Sequence, residues 1–216
     1  MLLLAFDTAT PAVTVALHDG GQIVAEESAI DARRHGELLA GFIDRALRGA
    51  GATPGDLTAI AVGTGPGPYT SLRAGLVTAR VLGSALDIRV DGICTLDVIA
   101  AAATAQAGGR EFLVATDARR KELYWARYSA FGERVTGPDV SSMSDLPAGL
   151  PVAGEGAVLY PELDAEPIEP RYPAAARLAA IAAQRITSGS PAAPPQPLYL
   201  RRPDAREPGR PKRVTP

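Results

Sequence analysis

The chain has 216 residues, 46% of them hydrophobic and 21% charged, with a formal net charge of −2. That is enough sequence for one domain or two small lobes with a real core, and the balance excludes bulk electrostatic attraction to nucleic acid. Aromatics at 5% argue against a base-stacking platform, and the single cysteine, Cys94, excludes an internal disulfide or a cysteine-rich zinc cluster.

The apolar start Met1–Phe6 has no basic residue before it and stops at Asp7, too short for a signal peptide or a membrane span. A cytoplasmic protein with no membrane association is expected. Leu2–Phe6 shows no alternation and reads as a strand buried on both faces, ending in the polar turn Asp7-Thr8-Ala9-Thr10-Pro11. Ala12–His18 alternates, placing Val13, Val15 and Leu17 on one face; Asp19-Gly20-Gly21 reads as a hairpin turn, and Gln22–Glu27 as the returning strand. A helix over residues 36–50 follows, its apolar stripe formed by Leu38, Leu39, Phe42, Ile43, Ala46, Leu47 and Ala50.

The fourth strand, Ala59–Val62, runs into the stretch around which the chain is organised, Gly63-Thr64-Gly65-Pro66-Gly67-Pro68-Tyr69-Thr70-Ser71-Leu72-Arg73. Glycines and prolines alternate there, then Thr70 or Ser71 stands where a helix cap is expected. Strand, Gly-rich turn and helix start form a place for an anion or another chain, or a simple chain reversal. No Lys follows as a P-loop requires, and the glycine spacing is not that of a dinucleotide fingerprint.

The helix over residues 71–86 carries two apolar stripes: Leu72, Leu76, Ala79, Gly83 and Leu86, and Ala74, Val77, Val81 and Ala85. A surface helix needs only one, so the second faces either a neighbouring helix or a partner, and Gly75, Ala79 and Gly83 allow close helix approach. Ile88–Cys94 completes a βββαβαβ order. Cys94 is expected to be a small buried hydrophobe. Thr95 is expected to cap a helix over Leu96–Gln106; Phe112–Thr116 and Leu123–Tyr128 read as strands, Pro151–Ala153 as a short one, and Pro173–Ile186 as a helix. Ser190–Pro195 reads as a linker, Pro197–Arg202 as a last ordered contact, and 203–216 as a solvated, disordered Pro/Arg-rich tail.

The βββαβαβ order, with an aspartate closing the first strand, is that of half an actin/Hsp70/sugar-kinase fold. Leu4-Ala5-Phe6-Asp7-Thr8-Ala9-Thr10, Arg34-His35, Gly65–Gly75, Asp117-Ala118-Arg119-Arg120 with Glu122-Leu123-Tyr124, and Tyr199-Leu200-Arg201 together resemble the bacterial TsaB (YeaZ) family over residues 1 to 202. The family usually shows Ser-Phe-Thr-Gly where this chain has Pro68-Tyr69-Thr70-Ser71, a change that keeps the aromatic and the hydroxyl and stiffens the turn.

The resemblance implies an α/β actin-like ATPase (ribonuclease H-like) fold of two lobes, 1–100 and a reduced 101–202, each a mixed sheet flanked by helices. It also implies a catalytically silent subunit in threonylcarbamoyladenosine formation on tRNA. Such a subunit pairs with a TsaD-type transferase through the first two helices, with a TsaE-type ATPase joining and tRNA met only indirectly. The expected partner residues are Leu39, Phe42, Ile43, Leu72, Gly75, Leu76, Val77 and Ala79, and a homodimer through the same face is expected when the partner is absent.

The residues themselves offer little catalytic chemistry. The family's peptidase-like label needs a His base, but His18 and His35 lie on different elements, lack metal-ligand spacing, and His35 is expected to be a cap or surface residue. No catalytic residue, cofactor or metal is expected. Weak nucleotide binding stays open, with Asp7, Gly65, Gly67 and Asp117 as vestigial candidates, although the Asp7–Pro11 turn lacks the glycine that lets backbone N–H groups cradle phosphate. A small-molecule kinase or ATPase of the same fold, and a self-sufficient homodimeric scaffold, are the alternatives.

Overall fold

The computed structural model describes residues 1–201, so the expected tail at 203–216 lies outside the described residues. Strands β1 (Leu3–Asp7), β2 (Ala12–His18) and β3 (Ile23–Ile30) form an antiparallel meander; helix α1 (His35–Gly49) leads to β4 (Ala59–Gly63), and α2 (Tyr69–Leu86) to β5 (Arg89–Ile93). The meander turns where Asp19 Oδ1 accepts the N–H groups of Gly21 and Gln22, both at 2.8 Å, and Gly20 takes φ +104°. The sheet order is β3-β2-β1-β4-β5, with β1 antiparallel to β2 and parallel to β4.

One face of this sheet carries Leu4, Phe6, Val13, Val15 and Leu17 against Leu39, Phe42, Ile43, Leu72 and Leu76 of α1 and α2. Each such side chain, fully buried, contributes about 1.5–3 kcal/mol through removal of apolar surface from water. The other face is covered by a helix from the far end of the chain, α5 (Ala175–Thr187), whose Leu178, Ala179 and Ala182 pack on Leu3, Ala5, Ala59 and Ala61. All seven residues of β2 are therefore buried, although its alternation reads as a strand with one covered face.

A second sheet, ordered β10-β9-β6-β7-β8, is built from β6 (Phe112–Asp117), β7 (Glu122–Tyr128), β8 (Arg134–Ser142), β9 (Val152–Ala153) and β10 (Pro167–Ile168). Helix α3 (Thr95–Ala103) lays Leu96, Ile99, Ala100 and Ala103 on Phe112, Val114, Ala126 and Tyr128, and turns Val98 toward α5. A short helix, α4 (Gly156–Leu159), packs on β6. This is the two-lobed α/β architecture expected, with a reduced second lobe whose last two strands are two residues each.

Several boundaries differ from the sequence reading. The sheets divide near residue 100, but α5 lies on the first sheet, so a lobe running 101–202 does not hold: the chain returns to cover the face that β1 and β2 leave apolar. Helix α3 stops at Ala103 rather than Gln106, three residues short of the expected end. Ser190–Pro195 is a strap rather than a free linker: Gly92 N–H donates to Ala193 O at 2.8 Å, Ala193 N–H to Asp91 Oδ1 at 3.1 Å, and Arg80 to Pro195 O at 2.6 Å. The first of these bonds occupies a backbone N–H on the otherwise open edge of β5, and the other two tie the strap to the Asp91 side chain and to α2. Strand β8 escapes the periodicity because it is a largely exposed edge strand interrupted by Gly137-Pro138.

The Gly-Pro loop is held against the β1–β2 turn by contacts that leave no room for a side chain. A Cβ on Gly67 would sit 2.1 Å from Ala9 O, a backbone atom that cannot swing away. Gly67→Ala is expected to destabilise the fold by about 1–3 kcal/mol, seen as a lower denaturant midpoint at unchanged slope.

Candidate functional site

Asp7 ends β1 with no solvent exposure. Its Oδ1 accepts the Ala9 N–H at 2.7 Å and its Oδ2 the Thr95 hydroxyl at 2.8 Å. Thr95 Oγ1 in turn accepts the Gly65 N–H at 3.1 Å, while Thr95 N–H donates to Gly65 O at 2.9 Å. Thr95 is thus not the helix cap expected: it is the first residue of α3, behind Cys94, and its hydroxyl serves the aspartate. Asp7 also leans onto β4, where a Cβ on Gly63 would come 1.9 Å from its Oδ2. Burial pushes the Asp7 carboxyl up to about 6, opposed by the Ala9 and Thr95 donors.

The neighbouring turn is spent in the same way. Thr8 Oγ1 donates to Ser71 O at 2.7 Å and accepts the Gly75 N–H at 3.1 Å, pinning the turn to α2. Neither Thr70 nor Ser71 caps that helix: Pro68 holds the N-cap position, no side chain caps it, and Ser71 Oγ donates to Pro68 O. The phosphate cradle that an actin-like fold implies needs free N–H groups and space beside the Asp7 turn. Here Gly67 abuts Ala9 and the Gly65 and Ala9 N–H groups are taken, so Asp7, Gly65 and Gly67 do not fit that role.

Across a cleft of about 290 Å³, lined on one side by Thr10, His35 and Thr70, stand Asp117, Arg119 and Glu155 of the second lobe. Asp117 Oδ1 accepts the Tyr160 hydroxyl at 2.9 Å and the Arg119 N–H at 2.8 Å, a turn-stabilising role. Glu155 is buried, which pushes its carboxyl up. His35 is neither cap nor surface residue: it begins α1 buried, its Nε2 donating to Thr10 O at 2.8 Å. His18 Nδ1 accepts the Gly20 N–H on a different element. Among the described residues no group of three or more His, Cys, Asp or Glu side chains converges. Cys94 is a free, buried thiol, pushed up to about 12 chiefly by burial.

The α1–α2 face shows the largest rearrangement of the expected residues. Leu39, Phe42, Ile43, Leu72, Leu76 and Ala79 are buried in the chain's own core, and Gly75 is occupied by Thr8, a Cβ there meeting Thr8 Oγ1 at 2.6 Å. Gly83 lies on Val90 in the same way, so the small residues of α2 let it approach its own sheet, not a second helix. As surface anchors six of these seven are corrected; Ile43, buried at 9% exposure, still reaches the groove between the two helices. Val77 alone of the expected set is exposed, at 52%, beside Val81 at 60%. The second stripe is the outward one. With Ala40, Ile43, Leu47 and Leu82 these valines line a groove of about 590 Å³ between α1 and α2.

The family described as TsaD, tRNA N6-adenosine threonylcarbamoyltransferase, matches residues 22–168. The tRNA threonylcarbamoyladenosine biosynthesis protein TsaB of Escherichia coli is 31% identical over 220 residues, covering 93% of this chain and 95% of its own. The chain belongs to the TsaB family. An uncharacterized protein of Mycobacterium tuberculosis is 44% identical over 211 residues, 94% of this chain and 93% of its own. The solved structure of YeaZ from Pseudomonas aeruginosa superposes with a TM-score of 0.78 at 25% identity, covering 92% of this chain and 100% of that one. The actin-like fold expected is therefore present, and TsaB membership covers both lobes. Among the described residues no helix is long and apolar enough to cross a membrane.

In this TsaB-family chain the aspartate at the end of the first strand is a structural group whose charge the fold tolerates at a cost. Its folded pKa of about 6 lies above the unbound value of 3.8, so the native state holds the proton more tightly than the unfolded chain. Stability attached to Asp7 is complete below pH 4 and is lost as pH rises through about 6, amounting to about 3 kcal/mol. Asp7→Asn is expected to gain on the wild type as pH rises from 4.5 to 7.5 in denaturant unfolding. A pH-independent gap would mean that Asp7 carries no such penalty.

Proposed function

We propose that this chain is a non-catalytic, cytoplasmic subunit in the biosynthesis of threonylcarbamoyladenosine on tRNA. It presents the α1–α2 face to a TsaD-type transferase, which performs the transfer, and a TsaE-type ATPase joins the pair. In the absence of the transferase, two copies associate through the same face.

The observation that carries this reading is the exposed Val77 and Val81 pair over an apolar groove. Two neighbouring valines that a lone domain gains nothing by exposing become favourable once covered by a partner. Support also comes from the Asp7 and Gly-Pro segments, whose polar groups are consumed by internal hydrogen bonds and so are not arranged around a substrate. The membership in the TsaB family supplies the pathway, since its Escherichia coli member carries that biosynthetic name.

The test is reconstitution of threonylcarbamoyl-tRNA formation with each subunit omitted in turn. Product is expected to fall to background without this chain, and the purified chain alone is expected to turn over no ATP. Val77→Asp is expected to abolish co-purification with the transferase while leaving the melting temperature within a few degrees, because Val77 is outside the core. Full product without this chain, or undiminished co-purification of the variant, would overturn the proposal.

A further inference from the structure

Three of the six tyrosines in this aromatic-poor chain, Tyr69, Tyr124 and Tyr199, line a single pocket of about 630 Å³ at the start of α2. Composition argues against a stacking surface, but the strap gathers one. After Pro195 the chain crosses the Gly-Pro loop, Leu198 N–H donating to Thr64 O at 2.9 Å, and Tyr199 stacks on Tyr69 with ring centres 5.3 Å apart and planes at 28°. Both rings keep open surface, Tyr69 at 56% exposed and Tyr199 at 47%. The Arg73 guanidinium lies 4.8 Å from the Tyr69 ring centre, a cation–π contact that leaves its charge at the surface.

Arg119 and Arg201 stand on the remaining wall. Arg119, Arg120 and Lys121 follow one another in the β6–β7 turn at φ +65°, +56° and +61°, a left-handed path that non-glycine residues rarely take. Arg201 is fixed by bonds to Ala118 O at 2.9 Å and Glu122 at 2.6 Å. The two carboxylates at this rim are both engaged, Glu122 by Arg201 and Asp117 by Tyr160 and Arg119. Two cationic side chains, Arg119 and Arg201, thus line the pocket with one acidic one, Asp117, and each cation pairs with a carboxylate there while the pocket stays open to solvent. The same pocket is lined by Gly67, Pro68 and Tyr69, the start of the 18-residue helix α2, which no side chain caps. An uncapped helix start carries about half a positive charge and points N–H groups outward.

Aromatic faces and an anion site in one pocket match a nucleobase with its phosphate. An acidic peptide would use the charges and leave the rings idle. Bases are available for stacking only where they are unpaired. We infer that this pocket receives an unpaired nucleotide of tRNA, its base against the Tyr69–Tyr199 stack and its phosphate at the α2 start and Arg119. The choice of tRNA over other RNA rests on the pathway proposed above; it replaces the indirect tRNA contact expected from the sequence with a direct one.

The test is fluorescence anisotropy of the full-length chain with a labelled, unmodified tRNA transcript at two salt concentrations. Saturable binding is expected, weakened at least about fivefold by Tyr199→Ala and retained by Tyr199→Trp. Arg119→Gln is expected to lower the salt slope by about one. Thermal melts confirm that each variant is folded, and Tyr69→Ala replaces Tyr199→Ala if the strap fails to dock. The inference is overturned if no saturable binding occurs at low salt, if folded Tyr and Arg variants bind as the wild type does, or if a polyglutamate peptide or ATP displaces the tRNA at equal concentration. Val77→Asp separates the two readings: it is expected to leave tRNA anisotropy unchanged whether or not transferase capture is lost, whereas Tyr199→Ala leaves capture intact.

Discussion

The buried carboxylate of Asp7 is the constraint on which the rest of the first lobe depends. A carboxyl group without solvent is tolerated only if its oxygens find donors, and here two donors and the space for the side chain come from three separate places in the sequence. Ala9 supplies a backbone N–H, Thr95 a hydroxyl, and Gly63 the bare Cα that makes space for the side chain. Because Thr95 also exchanges bonds with both backbone groups of Gly65, satisfying Asp7 fixes the Gly-Pro loop and the start of α3 together. The direction in which α2 leaves the loop follows from that, and with it the position of Val77 and Val81.

The two lobes are joined by helices and a strap rather than by a linker. Helix α3 faces the second sheet with Leu96 and Ile99 and α5 with Val98, so neither lobe's core closes without it. The returning strap then satisfies the β5 edge through Gly92 and places Arg201 on the β6–β7 turn. One extended segment therefore protects a sheet edge, crosses the Gly-Pro loop and contacts both lobes. The cation-rich turn and the aromatic stack stand side by side as a consequence of that path.

The site that this fold would suggest for phosphate is closed by its own backbone. Gly67 lies on Ala9, and Thr8 bridges to Ser71 and Gly75, so polar groups that would meet a nucleotide meet α2 instead. What remains at the surface is an apolar groove on one side of α2 and a tyrosine-lined pocket at its start. Both lie outside the core, on the two sides of α2 that its own sheet does not cover.

Local pattern was enough to read β1, β2, α1, β4, α2, the strand order that follows from them, and the family, because runs of Leu, Val and Ala at periods of 2 and 3.6 and the Gly-Pro motif are visible within short windows. The inward position of Asp7 and the closing of the loop on Ala9 were not legible, since the partners Thr95 and Ala9 are brought there only by the fold. The two stripes of α2 were visible, but which one is core was decided by which side the sheet lies on: Leu72, Leu76 and Ala79 found Phe6 and Leu4, and Val77 and Val81 were left outside. Likewise Tyr69 and Tyr199 stand 130 positions apart, and only the strap's course along β5 makes them neighbours. The sequence by itself determined the elements and the lineage, through interactions of near neighbours; the tertiary structure decided which polar groups are consumed and which faces stay open, because both depend on contacts between residues far apart in the chain.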